Sequence, residues 1–414
     1  MKLSKHPFIK NVLTLMSGTA FAQLLSILAY PFLSRIFTPE DFALQASFIS
    51  VTSLCLVFCS GKVEQAILLP KEDNEARDIL KLSIGLCFIT CLFLPLIIIA
   101  SQFSNAFREL VTNKLIIIAI VFVFCSGICE ILRVFFLRQK QFKAISSRTA
   151  LISIITVSLN LICGYSIYSH KILITSTTTA QVVALVLFII LFIKYNGRDK
   201  RTFNFQKIAY TLEKYWQFPV FMMPGQIFNV FTGNIPILLL SNYYTMNDIG
   251  QYAFVNKIVN IPFTIFVSAL TQVFLQKFIN TSKTQRLELY VRTSFILFAI
   301  IIIPAIICVI IAPSFFRVVF GEIWEPAAYI ARVMTPMLVI RFALTPLEGA
   351  VTTVQNKLWV GFAMQFFRFL CVIIAVFFSI KLELSFNYAI FIYSMGLVLF
   401  YVAYYLWEII LLKK

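Results

Sequence analysis

Three basic side chains fall inside stretches of the chain that are otherwise hydrocarbon. Lys257, Arg341 and Arg368 each interrupt a long apolar run. A charge facing lipid at the midplane of a bilayer costs at least ~2.5–3.5 kcal/mol, so these groups are expected to face a wet interior. Helical spacing puts Arg341, Thr345 and Glu348 on one face, sets Gln365 one turn before Arg368, and flanks Lys257 with Asn256 and Asn260. Three cations with few acids beside them make an anion site. Arginine suits bidentate phosphate binding, lysine acts as a point charge, and a low-dielectric cleft strengthens both. Arg368 has a second reading, a structural bridge to Glu348. Arg341 and Lys257 lie too deep to reach the headgroups easily and read as ligand contacts.

Other polar groups accompany them. Asn229, Asn234, Asn256, Asn260, Gln226 and Gln272 suit sugar hydroxyls, or equally hydrogen bonds between helices. In the N-terminal half, Lys62 and Glu64 are expected near the inner end of the second apolar run, and Glu130 and Arg133 near that of the fourth. Glu130 and Arg133 are three apart and either pair with one another or serve the cavity. Lys62 either snorkels to the headgroups or does the same. Prolines punctuate the runs at 31, 219, 224, 236, 262, 336 and 346, as hinges or as static kinks. The nine cysteines contain no CxxC and read as small buried residues, so no metal and no cofactor are expected. No GxSxG, GxxxxGK[ST] or HExxH occurs, and the polar segments expected outside the membrane are short, which argues against an enzyme.

The elements that must position these groups follow from composition. The chain has 414 residues, 60% apolar and 13% charged. Soluble domains carry about 25% charged residues, so a water-soluble globule and a disordered chain are both excluded. Twelve apolar runs are expected at 11–33, 42–68, 80–101, 114–137, 149–169, 172–193, 216–240, 249–275, 292–312, 327–353, 358–379 and 386–411. Helix is forced, because an open strand edge would leave backbone groups unpaired in hydrocarbon, and the runs exceed a ~10-residue barrel strand.

The net charge of +17 would suggest nucleic acid in a soluble protein; here it reads as basic cytoplasmic loops, with no nucleic-acid partner expected. With the N-terminus inside, 25 Lys and Arg fall in cytoplasmic segments and 7 outside, which favours both termini in the cytoplasm. The first run is too long for the apolar core of a cleaved signal and reads as a retained span. The polar stretch 194–214 divides the chain into 1–193 and 215–414, and an offset of 207 aligns Gly18/Gly225, Ser34/Ser241, Thr38/Thr245 and Asp41/Asp248, among eight identities. The expected architecture is an all-α integral membrane protein: two six-helix bundles, 1–193 and 215–414, as parallel repeats joined by a basic linker.

Several segments are similar to a known family: Met16-Ser17-Gly18-Thr19-Ala20, Pro31-Phe32-Leu33-Ser34-Arg35-Ile36-Phe37-Thr38-Pro39-Glu40-Asp41-Phe42, Glu64-Gln65-Ala66-Ile67-Leu68-Leu69-Pro70, Asp248-Ile249-Gly250-Gln251-Tyr252-Ala253, and Phe320-Gly321-Glu322 with Trp324. Together they resemble bacterial polysaccharide flippases of the Wzx type, in the multidrug/oligosaccharidyl-lipid/polysaccharide exporter (MOP) superfamily. Ala43 departs from a usual Gly, and Gly61-Lys62-Val63-Glu64 from a usual Leu-Arg-Leu-Glu. The resemblance implies a MATE-like pair of bundles around a central cavity with alternating access. It implies movement of undecaprenyl-pyrophosphate-linked oligosaccharide across the bacterial inner membrane for O-antigen or another surface glycan. It adds Arg35 to the pyrophosphate-binding set of Arg341, Arg368 and Lys257. Lys62, Glu64, Glu130 and Glu348 become cavity or coupling residues, and Asn229, Asn234, Asn256, Asn260 and Gln272 face the glycan. The polyprenyl tail is expected to stay in lipid between the bundles. Partners would be the lipid-linked substrate, membrane lipids and other surface-glycan assembly proteins. The rival readings are a drug exporter of the same superfamily, which would need an acidic interior, and a polytopic glycan polymerase.

Overall fold

The computed structural model describes residues 7–100, 104–196, 205–348 and 358–413. The described residues form helices and no strand. In chain order these are α1 (Pro7–Ile36), α2 (Pro39–Cys59), α3 (Asp73–Ala100), α4 (Asn105–Thr112), α5 (Ile116–Arg138), α6 (Phe142–Ser166) and α7 (Ile172–Asn196). There follow α8 (Phe205–Lys214), α9 (Met223–Leu238), α10 (Met246–Asn280), α11 (Arg286–Phe320), α12 (Glu325–Leu344), α13 (Leu358–Lys381) and α14 (Phe386–Lys413). Ten are long and apolar enough to cross a membrane. The expected eighth run lies within α10. The seventh run is divided into a π-helical turn at Phe218–Met222 and the 16-residue α9, because Pro219 and Pro224 lack the backbone donors that would carry one α-helix through.

Three expectations about these elements are corrected. The second run does not continue to 68. α2 stops at Cys59, Gly61 and Lys62 turn the chain with φ of 56° and 62°, and Val63–Leu68 is a short 3-10 helix. Gly61 takes the left-handed conformation at no steric cost; Lys62 follows it there. The tenth run is broken before its expected end, and residues 349–353 of it lie outside the described residues. α12 ends at Leu344, just before Pro346 would have to be accommodated, and a turn follows in which Glu348 N–H donates to Leu344 O at 3.1 Å. Arg341 is therefore in the last turn of α12, and Glu348 lies beyond the helix rather than on its face. The polar stretch after α7 is not wholly loop, since Phe205–Lys214 is α8; residues 197–204 of it lie outside the described residues.

The chain divides into two compact units. The first contains residues up to Ala29 and Leu44–Ile227; the second contains Tyr30–Ala43 and Phe228–Lys414. In the first, α6 packs on α7, α3 and α7 both pack on α5, and α8 lies against α3. Gly18 lets α1 approach α6: a Cβ there would come within 2.0 Å of Ser146 Oγ. In the second, α10, α11 and α14 all pack on α12, and α13 packs on α14.

The hairpin 30–43 is built into the second unit. Trp324 Nε1 donates to Ser34 O at 2.9 Å, and Ser34 Oγ to Phe320 O at 3.0 Å. Phe42 meets Phe254 and Trp324 edge-on with ring centres 5.2 and 5.3 Å apart, and Phe254 stacks on Trp324 at 3.9 Å. Each such aromatic pair contributes about 0.5–1.5 kcal/mol beyond area burial. Gly250 is dictated by this seat, because a Cβ there would lie 1.8 Å from Pro39 O. The aligned pairs Thr38/Thr245 and Asp41/Asp248 make matching caps: Thr38 N–H donates to Asp41 Oδ2 at 2.9 Å, and Thr245 N–H to Asp248 Oδ2 at 3.2 Å. Asn247 donates to Glu40 at 3.1 Å, and these positions are also 207 apart.

Candidate functional site

The second unit carries the deep cations, and its amides hold them. Arg341 Nη1 donates to Asn260 Oδ1 at 3.1 Å, while its guanidinium carbon sits 4.3 Å from the centre of the Phe263 ring. Asn260 in turn donates through Nδ2 to Asn256 O at 2.7 Å, so Asn256 fixes the amide that fixes the arginine. Arg368 Nη1 donates to Asn229 Oδ1 at 3.0 Å, with Tyr401 beneath the guanidinium at 5.9 Å. Lys257 Nζ lies 5.3 Å from the Phe42 ring centre. A cation over an aromatic face gains about 0.5–2 kcal/mol and keeps its charge. Among the described residues, no carboxylate is within 4.0 Å of Arg341 or Arg368. The structural bridge between Arg368 and Glu348 is thus not formed.

The two arginines nevertheless share surroundings. Both act electrostatically on the Glu348 carboxyl and on the buried Tyr393 hydroxyl. Arg368 Nε, Gln365 Oε1 one turn before it, and Thr345 Oγ1 are buried without a hydrogen-bond partner. Buried polar atoms are nearly always paired, so unpaired donors on a cation mark bonding capacity available to another molecule.

The remaining predicted residues are placed differently. Arg35 is exposed at the end of α1, in the hairpin segment. Asn234 donates to Val230 O of its own helix at 2.8 Å. The side chain of Gln272 lies outside the described residues. In the first unit several charges close on one another, while Arg148 Nη2 donates to Gln181 Oε1 at 3.1 Å and its guanidinium lies over the Phe188 ring at 5.3 Å. Arg133 grips Glu130 with two bonds, Nε to Oε2 at 2.8 Å and Nη2 to Oε1 at 2.6 Å. Glu64 is 1% exposed, accepts from Ser60 Oγ, and faces Lys62 Nζ at 3.6 Å. Arg138 joins Asp73 at 3.0 Å and also donates to Ile67 O and Pro70 O, which ties α5 to the 3-10 helix and the start of α3. Lys214 pairs with Glu75, and that contact raises the lysine pKa above its ordinary value.

Several features lie beyond what spacing alone reveals. The thiols of Cys59, Cys87 and Cys91 converge to within 4.8 Å of one another in the first unit. The sequence shows the i, i+4 pairs but not that helices bring two of them together. The roles of Asn229 and Asn260 as arginine holders require contacts 139 and 81 residues apart.

Comparison with known proteins follows the same lines. Residues 32–329 match the family described as polysaccharide biosynthesis protein. The chain belongs to that family. No curated protein sequence matches it significantly. Among solved structures, this polysaccharide biosynthesis protein is similar to the lipid II flippase MurJ in an inward closed conformation: TM-score 0.71, 15% identity, covering 95% of this chain and 87% of that one. It is also similar to an inward-facing multidrug resistance MATE family transporter of the MOP superfamily: TM-score 0.67, 16% identity, covering 95% and 96%. A MOP superfamily transporter from Pyrococcus furiosus, described as having a binding pocket of reverse polarity, has TM-score 0.59 and 13% identity, covering 98% and 96%. At these identities the likeness shows the fold alone: a multi-pass all-α membrane architecture like that of these transporters.

Proposed function

We propose that this family member is a flippase that carries undecaprenyl-pyrophosphate-linked oligosaccharide from the inner to the outer leaflet of the bacterial inner membrane. It would supply O-antigen or another surface glycan and act without enzymatic chemistry. The observation that carries the reading is a pair of half-buried guanidiniums held by amides and rings instead of acids. A diphosphate carries roughly two negative charges and cannot enter hydrocarbon bare. Arg341 and Arg368, with Lys257 and the exposed Arg35, supply the compensating charge. Asn229, Asn256 and Asn260 set the arginine geometry and, with Asn234 and Gln272, offer amides to the glycan. The two halves, 1–193 and 215–414 about a cytoplasmic linker, act as bundles that rock against each other, with both termini inside.

Glu64, Glu130 and Glu348 are the candidate proton or sodium carriers, with Lys62 poised beside Glu64. Glu348 differs from the other two in lacking an ion-pair partner within 4.0 Å among the described residues. A drug exporter would need acids free to attract cationic drugs; in the first unit, Glu64 and Glu130 already face Lys62 and Arg133. Membrane lipids and other glycan-assembly proteins are the expected partners. The test is transport of a polyprenyl-diphosphate oligosaccharide in vesicles containing the full chain. Wild type should move it and Arg341→Ala/Arg368→Ala should not. Equal transport by both would remove the anion site. Indifference to proton, sodium and membrane potential would remove the coupling role of the acids.

A further inference from the structure

A lateral groove of about 550 Å³ lies within the second unit, between α10, α11 and α12. This is within the ~300–1,000 Å³ range of small-molecule sites. Its walls include Phe263, Phe266, Ile300, Cys308, Leu338 and Phe342. The hydroxyl of Thr335, also on the wall, is already spent on Ala331 O at 2.9 Å. The groove thus offers a guest little but hydrocarbon contact. Pro262 of α10 and Pro304 of α11 both line it. Each proline removes a backbone bond and bends its helix. Both helices pack on α12, yet they barely touch one another, which leaves the groove open.

One residue joins this groove to the cations. Phe263 contributes to the wall, and the Arg341 guanidinium lies over its ring at 4.3 Å. Phe342, the residue after Arg341, is also on the wall. An amphiphile whose anionic head meets Arg341 therefore has an apolar channel beginning at the head.

We propose that the groove between α10, α11 and α12 seats the head-proximal part of the polyprenyl chain of the carried lipid. The inference rests on the flippase reading above and changes it in one respect: the tail is held by the second unit instead of lying free in lipid between bundles. The three phenylalanines give a broad, irregular surface that suits a methyl-branched chain. Holding the chain there aims the diphosphate at Arg341 and fixes the substrate's orientation before the glycan is accommodated.

The test uses the full chain in nanodiscs with two photoreactive polyprenyl diphosphates. One carries benzophenone in the chain near the head; the other carries it on the diphosphate. The chain probe should label Phe266, Cys308 or Leu338. Unlabelled polyprenyl diphosphate should compete at least tenfold better than dioleoyl phosphatidic acid. Ala305→Trp, which fills the groove, should cut chain labelling at least fivefold and leave head labelling near Arg341 intact. Chain adducts elsewhere, with head adducts still around Arg341, would overturn the groove and spare the flippase reading. Equal competition by phosphatidic acid would show a site for ordinary membrane lipid and overturn it as well. Absence of specific adducts from both probes would remove the groove and the flippase reading together.

Discussion

The two units differ in what meets most of their deep charges, although each holds an arginine by an amide oxygen and a ring: in the first, Arg148 Nη2 donates to Gln181 Oε1 at 3.1 Å and its guanidinium lies 5.3 Å from the Phe188 ring centre. In the first, each deep acid has a base: Glu130 is clasped by Arg133, and Glu64 faces Lys62. In the second, Arg341 and Arg368 lean on the side-chain oxygens of Asn260 and Asn229 and on the rings of Phe263 and Tyr401. A carboxylate cancels a guanidinium; an amide oxygen orients it and leaves its field in place. On the flippase reading, the second unit keeps the positive charge of Arg341 and Arg368 for the substrate, while the first unit's paired ions, Arg148 apart, serve as structure. Net charge cannot reveal this division; it depends on which oxygen each arginine meets.

The comparison is broken most severely by removing the stored charge. Arg341→Ala combined with Arg368→Ala should lower affinity for a polyprenyl diphosphate by at least about 100-fold, since hydrogen bonds to charged groups contribute about 1.5–3 kcal/mol each and about 1.4 kcal/mol is tenfold. Binding in nanodiscs at fixed salt checks it, and unchanged affinity would make the second unit's cations structural too. Next comes Gly250→Val, which drives a side chain into Pro39. Overpacking of this kind costs about 1–3 kcal/mol, seen as a lower melting temperature of the detergent-solubilised chain. Asn260→Ala should follow, with about a tenfold loss of diphosphate affinity and no change in melting temperature, because it frees Arg341 without unpacking the helix. Asn260→Asp sharpens the point, as it converts the orienting oxygen into a cancelling one and should weaken anion binding further. The smallest effect belongs to Asp73→Ala in the first unit. Asp73 is 86% exposed, and such pairs contribute about 0.2–1 kcal/mol, so transport should be unchanged within error.

Much of this architecture is legible in the chain. The apolar runs correspond to helices, because backbone groups in hydrocarbon have no other way to be satisfied. That Lys257, Arg341 and Arg368 sit in helices follows from their place in those runs. Errors arose where a local breaker competed with hydropathy. Gly61 ends the second run early, and Pro346 ends the tenth, which moves Arg341 to the end of its helix. The remainder is long-range. Nothing near Ser34 in sequence announces that Trp324 will donate to its carbonyl, and nothing near Asn229 announces Arg368. The offset of 207 is the exception. It aligns Thr38 with Thr245 and Asp41 with Asp248, and those residues form matching caps on α2 and α10.

The hairpin 30–43 has a consequence for anyone who would divide the chain. A fragment starting at Phe228 would lack Phe42, and the space beside the stacked Phe254 and Trp324 rings would be left open; Trp324 Nε1 would also lose its acceptor at Ser34. Such a half should be insoluble in detergent when expressed by itself. Co-expression with a piece ending at Ile227 should rescue it, because that piece delivers the missing plug in trans, the behaviour of a split protein rather than of two autonomous modules.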